Sequence, residues 1–449
     1  MKRISIEQLK SWMKSDSRKP LLFQGVRQVG KTWLLNEFGR TCFQNIAYIN
    51  FDKDESAKRI FEHDFSIERI ITALQLHCGH PITPGKTLII LDEIQEAPRA
   101  VTCLKYFCED APQYHVAAAG SYLGVASLTG TGFPVGKVDT LTLHPMSYLE
   151  FLEAMGEEAF VQVIQQGDWE NASIYKEKFI EYLRYYYFVG GMPAVVDSFV
   201  KNRDFFKARA IQKELLMDYD RDFGKHTPSG IVPSIRMVWN SIPMQLAKEN
   251  KKFILSKLEK NARKSDFAEA IQWLCDAGLL YRVKRVSKPS MPLAAYVEED
   301  IFKLFLVDVG LLGAQSDLDP RSILEGNRIF TEFKGALTEQ YVHQQLLAET
   351  DIVPYYWASG SNEVDFIYQH GMDVIPLEVK AETNLKSRSL MGFCRKYKIP
   401  FAIRASMIDY RRDLTDTIPT KGDSENKDFK FLLANLPLYA ISRIGKEEV

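Results

Sequence analysis

The chain has few cysteines and none in pairs. The six, Cys42, Cys78, Cys103, Cys108, Cys275 and Cys394, contain no C-x-x-C among 449 residues. That spacing excludes a zinc ribbon and a disulfide framework and fits a reducing compartment. No apolar run reaches the ~18–20 residues that a membrane span needs. The first residues, MKRISIEQLKSWMKSD, are amphipathic and lack the apolar stretch of a signal peptide, so the expected location is the cytoplasm, with no membrane partner. Internal repeats and low-complexity tracts are also missing; only residues 415–427 are polar and charged enough to read as loose. Neither sign of charge dominates. Lys+Arg is 57 and Asp+Glu 58, which excludes a globally basic nucleic-acid coat but leaves room for a local basic patch. What is present is ordinary for folded proteins: 46% hydrophobic and 26% charged residues, over a length that accommodates about three domains at ~150 residues each.

Short apolar runs at 21–23, 45–51 and 87–91 read as buried strands. Helical patterns starting at Lys31 and Ile67 separate them. Buried strands alternating with helices predict a parallel sheet covered on both faces, an α/β class. This regime runs to about Phe151. From Tyr175 to about Leu246 the pattern is helical, apart from the turn Gly190-Gly191-Met192-Pro193. A third block, 253–312, holds helical stretches and then an alternating strand after Gly278, which suggests a winged helix-turn-helix with a wing tip near 287–293. From about Arg328 the order is helix, hairpin, helix, strand.

The strongest motif is Gly25-Val26-Arg27-Gln28-Val29-Gly30-Lys31-Thr32, a full GxxxxGK[ST] between an apolar strand and a helix. Glycines let the backbone N–H groups curl around a phosphate, and the helix N-terminus adds its positive end. Lys31 would neutralise β/γ-phosphate charge and Thr32 would ligate Mg²⁺. Leu88-Ile89-Ile90-Leu91-Asp92-Glu93 supplies the partner strand, with two carboxylates at the edge where open α/β sheets bind ligands. Asp92 is the Mg²⁺ partner, and Glu93 the base that orients the attacking water. A further strand, 114–119, ends in Gly120-Ser121, where Ser121 either touches the γ-phosphate or caps a turn. No NKxD guanine-reading motif is present. Thr420-Lys421-Gly422-Asp423 looks like its TKxD variant but falls in a distant polar loop, so ATP is the expected nucleotide.

A second constellation lies at 362–380. Two alternating runs flank Gly371-Met372, a pair suited to a II′ turn, which places Gly first. That register pairs His370 with Asp373, sets Asp365 opposite Glu378 and sets Glu363 opposite Lys380. Like charges directly opposite are destabilising, so something must compensate. A divalent cation, Mg²⁺ or Mn²⁺, is the natural candidate for hard oxygen ligands, with Lys380 beside it to stabilise phosphate charge or help deprotonate a water. Glu339 sits on a small, partly apolar helical stripe and would join as a fourth member. The alternative is a solvated hairpin with a Lys–Glu pair.

These residues resemble those of the bacterial and archaeal ATPases of the AAA_14/DUF4143 family. The resemblance rests on Gly25 to Thr32, Leu91-Asp92-Glu93-Ile94-Gln95, Gly120-Ser121, the run Leu143 to Phe151, Gly190-Gly191-Met192-Pro193, Val307-Asp308-Val309-Gly310-Leu311 and Asn362 to Lys380. It implies a P-loop AAA-like ATPase domain (1–156), a helical lid (157–246), a winged-helix domain (247–315) and a restriction-endonuclease-like domain of the PD-(D/E)xK class (316–449). In that class the hairpin Asp and the Glu-x-Lys bind metal and cut phosphodiesters; Asp365, Glu378, Lys380 and the helical Glu339 fall on those positions. One departure is Gly136-Lys137, where similar proteins carry Gly-Arg. If that Arg senses γ-phosphate, Lys137 offers a point charge instead of a planar fork. Arg203 and Arg221 are possible replacements.

Two functions follow. The first is an ATP-hydrolysing protein coupled to a metal-dependent DNA nuclease, with DNA held by the winged helix. The second is an ATP-gated regulator or signalling ATPase that binds DNA or protein, its nuclease-like domain only docking. Helix 266–280 is poor in basic residues, while Arg282, Lys284, Arg285 and Lys288 cluster after it. AAA-like domains often assemble, yet nothing in the sequence counts subunits.

Overall fold

The computed structural model describes residues 2–121, 133–224, 227, 230–247, 252–253, 264–321, 333–381, 387–416 and 429–446. The TKxD-like segment lies outside them. Two compact units emerge: one built mainly from residues 1–144, the other from most of 145–449.

The first unit contains a sheet of five strands: β1 (Leu21–Gly25), β2 (Asn45–Asn50), β3 (Thr87–Asp92), β4 (His115–Ser121) and β5 (Asp139–Thr142). All neighbours are parallel, in the order β2-β3-β4-β1-β5. Parallel strands are covered on both faces, which is why β3 is buried at every position and β1 at four of five. Helix Lys31–Cys42 turns Leu34, Leu35 and Phe38 inward, an i, i+1, i+4 spacing that keeps one stripe on the sheet. Because β4 is inserted between β1 and β3, the ends of three strands converge on one edge. Strand β5, whose Asp-Thr-Leu-Thr sequence carries little apolar signal, was not evident from the sequence.

The second unit contains helices and an eight-stranded mixed sheet. Its strands are β6 (Leu280–Val286), β7 (Val297–Leu306), β8 (Tyr355–Ser359), β9 (Asn362–His370), β10 (Asp373–Val379), β11 (Phe401–Ser406), β12 (Arg411–Asp416) and β13 (Lys430–Pro437). Their order is β12-β13-β11-β10-β9-β8-β6-β7. The β6–β7 hairpin, read from sequence as a wing, is the edge of this sheet, joined to it through the parallel pairing of β6 with β8. Local sequence shows a hairpin; it cannot show which distant strand pairs with its outer edge. Helix Arg388–Tyr397 supplies Leu390, Phe393 and Cys394 to a core with Val364, Ile367 and Val374.

A buried polar lattice ties the helical segment to this sheet. Ser147 and Glu150 form a reciprocal capping box at the start of helix Tyr148–Ala154. The Asp308 carboxylate is fully buried and accepts from the backbone N–H of Gly191 (2.6 Å) and Leu311 (3.0 Å) and from the Gln344 amide (3.0 Å). Burial still holds the Asp308 carboxyl above its ordinary range. Gln344 and Gln345 donate to the Tyr186 hydroxyl, while Gln340 bridges the N–H and C=O of Leu306.

Candidate nucleotide site and C-terminal charge cluster

The loop from Gly25 to Thr32 connects β1 to helix Lys31–Cys42. Gly30 adopts φ 98°, a left-handed conformation that favours glycine, and Gln28 also has positive φ. Val26 and Val29 are buried and anchor the loop from beneath. Lys31 is 8% exposed and donates to the carbonyls of Gly25 (2.9 Å) and Val26 (3.1 Å). Burial pushes its ammonium down to about 8, against the pull of Glu93 and Asp92.

Asp92 closes β3 and is 2% exposed. Its Oδ2 accepts from the Thr32 hydroxyl (2.9 Å), the Tyr48 hydroxyl (2.8 Å) and, at 3.4 Å, the Asn50 amide. Glu93 follows at φ 51°, a conformation uncommon for a non-glycine residue, and accepts from Gln95 Nε2 at 2.5 Å. Ser121 pairs in register with Gly25. All the N-terminal residues expected from sequence therefore meet at one edge of the sheet.

Contributors from two segments, Tyr48 with Asn50 and Arg3, were missed. Tyr48 and Asn50 alternate on one face at the end of β2, and Asn50 is in register with Asp92. Their signal was period two at the C-terminal end of a strand, visible only once β2 is known to neighbour β3. Burial, rather than the carboxylate beside it, is the main cause that pushes the Tyr48 phenol up to about 12. Arg3 is the other. Its guanidinium is 6% exposed and donates to the carbonyls of Val29 (3.2 Å) and His144 (2.6 Å), fastening the loop from outside the motif.

Lys137 lies elsewhere. It precedes β5, whose Asp139 is in register with Leu21 at the start of β1, and it pairs with Glu109 at 2.9 Å. Strands in a parallel sheet run the same way, so Lys137 stands at the edge opposite the P-loop and cannot sense a phosphate bound in its own chain. Arg221 pairs with Asp218 at 3.2 Å, and Arg203 donates to the Met155 sulfur at 2.7 Å; both belong to the second unit.

At the C-terminal hairpin the register is the one read from sequence. His370 pairs with Asp373, and the ladder continues to Phe366 and Leu377. Gly371 has φ 56°, as a II′ turn requires of its first central residue. Beyond Leu377 the side chains take over: Asp365 Oδ2 accepts from the Val379 N–H at 2.7 Å, and Lys380 Nζ pairs with Glu378 Oε1 at 2.6 Å.

The compensating charge comes from a residue that sequence reading passed over. Lys303, on β7 and 0% exposed, sets its ammonium 3.5 Å from Glu339 and pairs closely with Glu363. Burial opposes that charge, but Glu339, Glu363 and Asp365 outweigh it and hold Lys303 well above its ordinary value. Glu363 therefore meets Lys303, not Lys380 as the register argument expected. Burial raises the Glu378 carboxyl despite Lys380. Among the described residues no three His, Cys, Asp or Glu side chains form a group that could hold a metal ion. Lys303 thus brings one positive charge to the opposed acids.

Two cations of the basic run on the β6–β7 hairpin are paired with carboxylates. Arg285 makes two bonds to Glu298 (2.6 and 2.9 Å), and Lys284 pairs with Glu299 at 2.6 Å. Lys288 lies 4.4 Å from the centre of the Tyr296 ring.

A mononucleotide cradle at the C-terminal edge of a β2-β3-β4-β1-β5 parallel sheet, with lysine, hydroxyl and paired acids in place, defines a P-loop AAA-type ATPase domain. Residues 17–152 match the AAA domain family AAA_14. Residues 334–422 match a domain of unknown function, DUF4143, and residues 180–322 another, DUF8612. The chain thus combines an AAA_14 domain with a DUF4143 domain. No curated protein is similar enough in sequence to count as a relative. Solved structures similar to the chain include a Walker-type ATPase of Pyrococcus abyssi, 13% identical, covering 70% of this chain and 94% of that one with a TM-score of 0.44. Others are the Orc1 protein of Aeropyrum pernix in complex with DNA (14% identity, 71% and 92%, TM-score 0.28) and Cdc6p of Pyrobaculum aerophilum (11%, 72% and 94%, 0.24). No described helix is long and apolar enough to cross a membrane.

Proposed function

We propose that the chain is an ATP-hydrolysing switch whose C-terminal domain docks a partner rather than cutting DNA. The observation that carries the ATPase half is the 2.9 Å bond from Thr32 Oγ1 to Asp92 Oδ2, which joins the phosphate loop to the acidic strand end. This oxygen pair fits Mg²⁺: Thr32 would ligate it and Asp92 would hold it directly or through water. Bound there, the ion would neutralise phosphate charge. Lys31 would exchange its two loop carbonyls for phosphate oxygens. Glu93, the next residue along, would accept a proton from the attacking water, with Gln95 steadying its carboxylate. Glu93→Gln is expected to lower ATP turnover about 10²–10⁴-fold while leaving nucleotide binding intact. Equal turnover in that variant would remove Glu93 from the base position.

The docking half rests on Lys303, which occupies charge that a catalytic metal would otherwise balance. The paired state of Arg285 and Lys284 supports the same reading, since cations already matched to carboxylates release few counterions on meeting a phosphate backbone. A nuclease reading has one observation in its favour: Glu378 Oε2 is buried with no hydrogen-bond partner. That atom and Asp365 are where Mg²⁺ or Mn²⁺ would be held. The discriminating assay incubates the full chain with single- and double-stranded DNA and Mn²⁺. The docking reading expects no cleavage by the wild type. Cleavage that Asp365→Asn abolishes, with ATP turnover retained, would establish the nuclease instead.

A further inference from the structure

The second unit holds a cavity of about 590 Å³ at the hairpin-turn end of the eight-stranded sheet. It is separate from the charge cluster. From Asp365 to His370 the chain advances five residues along β9, roughly 17 Å at ~3.4 Å per residue. Its size falls within the roughly 300–1,000 Å³ of small-molecule sites.

The lining divides by chemistry. Ile375, Ile399 and Ile403 form an apolar floor, each at most 7% exposed. Tyr368 is 2% exposed and also lines the cavity. Burial accordingly raises the phenol, with no neighbouring charge involved. The phenol hydroxyl can donate to a ligand oxygen in the cavity. Around the rim stand Lys398, Arg412 and Lys446, all exposed, and the one carboxylate is Asp373. Arg412 makes no ion pair within the described residues. Three cations against one acid, above an apolar floor, favour an anion with an apolar body.

We infer that this cavity binds a small amphipathic organic anion, with its head among Lys398, Arg412 and Lys446 and its body against Tyr368 and the isoleucines. Neither the nucleotide site nor the charge cluster takes part, so the proposal stands whether or not either reading of them holds. A carboxylate and a phosphate head share the required chemistry, and the probes separate them.

The experiment titrates octanoate, octyl phosphate, octylamine and acetate into the full chain by calorimetry. The expected result is binding of octanoate or octyl phosphate with a Kd below about 1 mM, with octylamine at least about tenfold weaker and acetate silent. Whichever anion binds more tightly identifies the head group. Arg412→Glu and Lys398→Glu, both at exposed positions and therefore compatible with an unchanged melting curve, are each expected to weaken the anion about tenfold. Tyr368→Phe should weaken it a few-fold without loss of fold. Failure of both anions to bind at millimolar concentration, equal binding of octylamine, or affinity unmoved by both charge reversals would overturn the proposal.

Discussion

Lys31→Ala is expected to weaken ATP binding at least about a hundredfold and to remove turnover with it. The lysine is held within its own loop by the Gly25 and Val26 carbonyls, so the substitution deletes a pre-placed cation, not a wandering one. Its pH signature is distinctive. In the nucleotide-free chain the ammonium is depressed to about 8 because burial disfavours charge. Phosphate oxygens favour the charged form, so binding takes up a proton once the pH exceeds that value. ATP affinity should be nearly level below pH 8 and then fall as pH rises, by up to about tenfold per unit. Calorimetry in buffers of different ionisation enthalpy checks both the affinity and the proton uptake. An unchanged Kd in Lys31→Ala would refute the P-loop assignment.

Lys303→Met should be the most destabilising single change in the second unit. It leaves Glu339 and Glu363 without their buried cation and Asp365 with Lys380 as its nearby positive charge. Removing one partner from a buried ion pair costs about 3–5 kcal/mol, far more than a surface bridge of about 0–1 kcal/mol. Adding Glu363→Gln removes one of the orphaned charges, so the double variant should recover part of the loss. Denaturant unfolding of the two single variants and the double variant measures the coupling. A lysine that merely filled space would show additive effects instead.

The nucleotide edge was legible because its motif is contiguous. Eight residues carry the loop, and an apolar strand ending in Asp92-Glu93 carries its partner. The hairpin register was legible for a similar reason: Gly371-Met372 fixes the turn, and period two does the rest. What escaped were contacts made across the sheet. Lys303 lies in a strand read as part of a wing, 36 residues before Glu339 in the chain, and nothing local marks it as a member of the acidic cluster. Tyr48 and Arg3 escaped likewise, since each reaches its carboxylate or carbonyl from a separate segment. The departure at Lys137 illustrates the converse. Its neighbourhood in sequence suggested phosphate sensing, and strand direction alone places it at the far edge.

The Asp308 lattice bears on how the gene can be cut. The carboxylate depends on N–H donors from the Gly190-Gly191 turn and on an amide from helix Lys334–Glu349. Truncation anywhere between them strands an ionisable group in an apolar interior. The helices after residue 145 and the terminal sheet should therefore be kept together in any truncation, and a fragment holding either alone is expected to misfold.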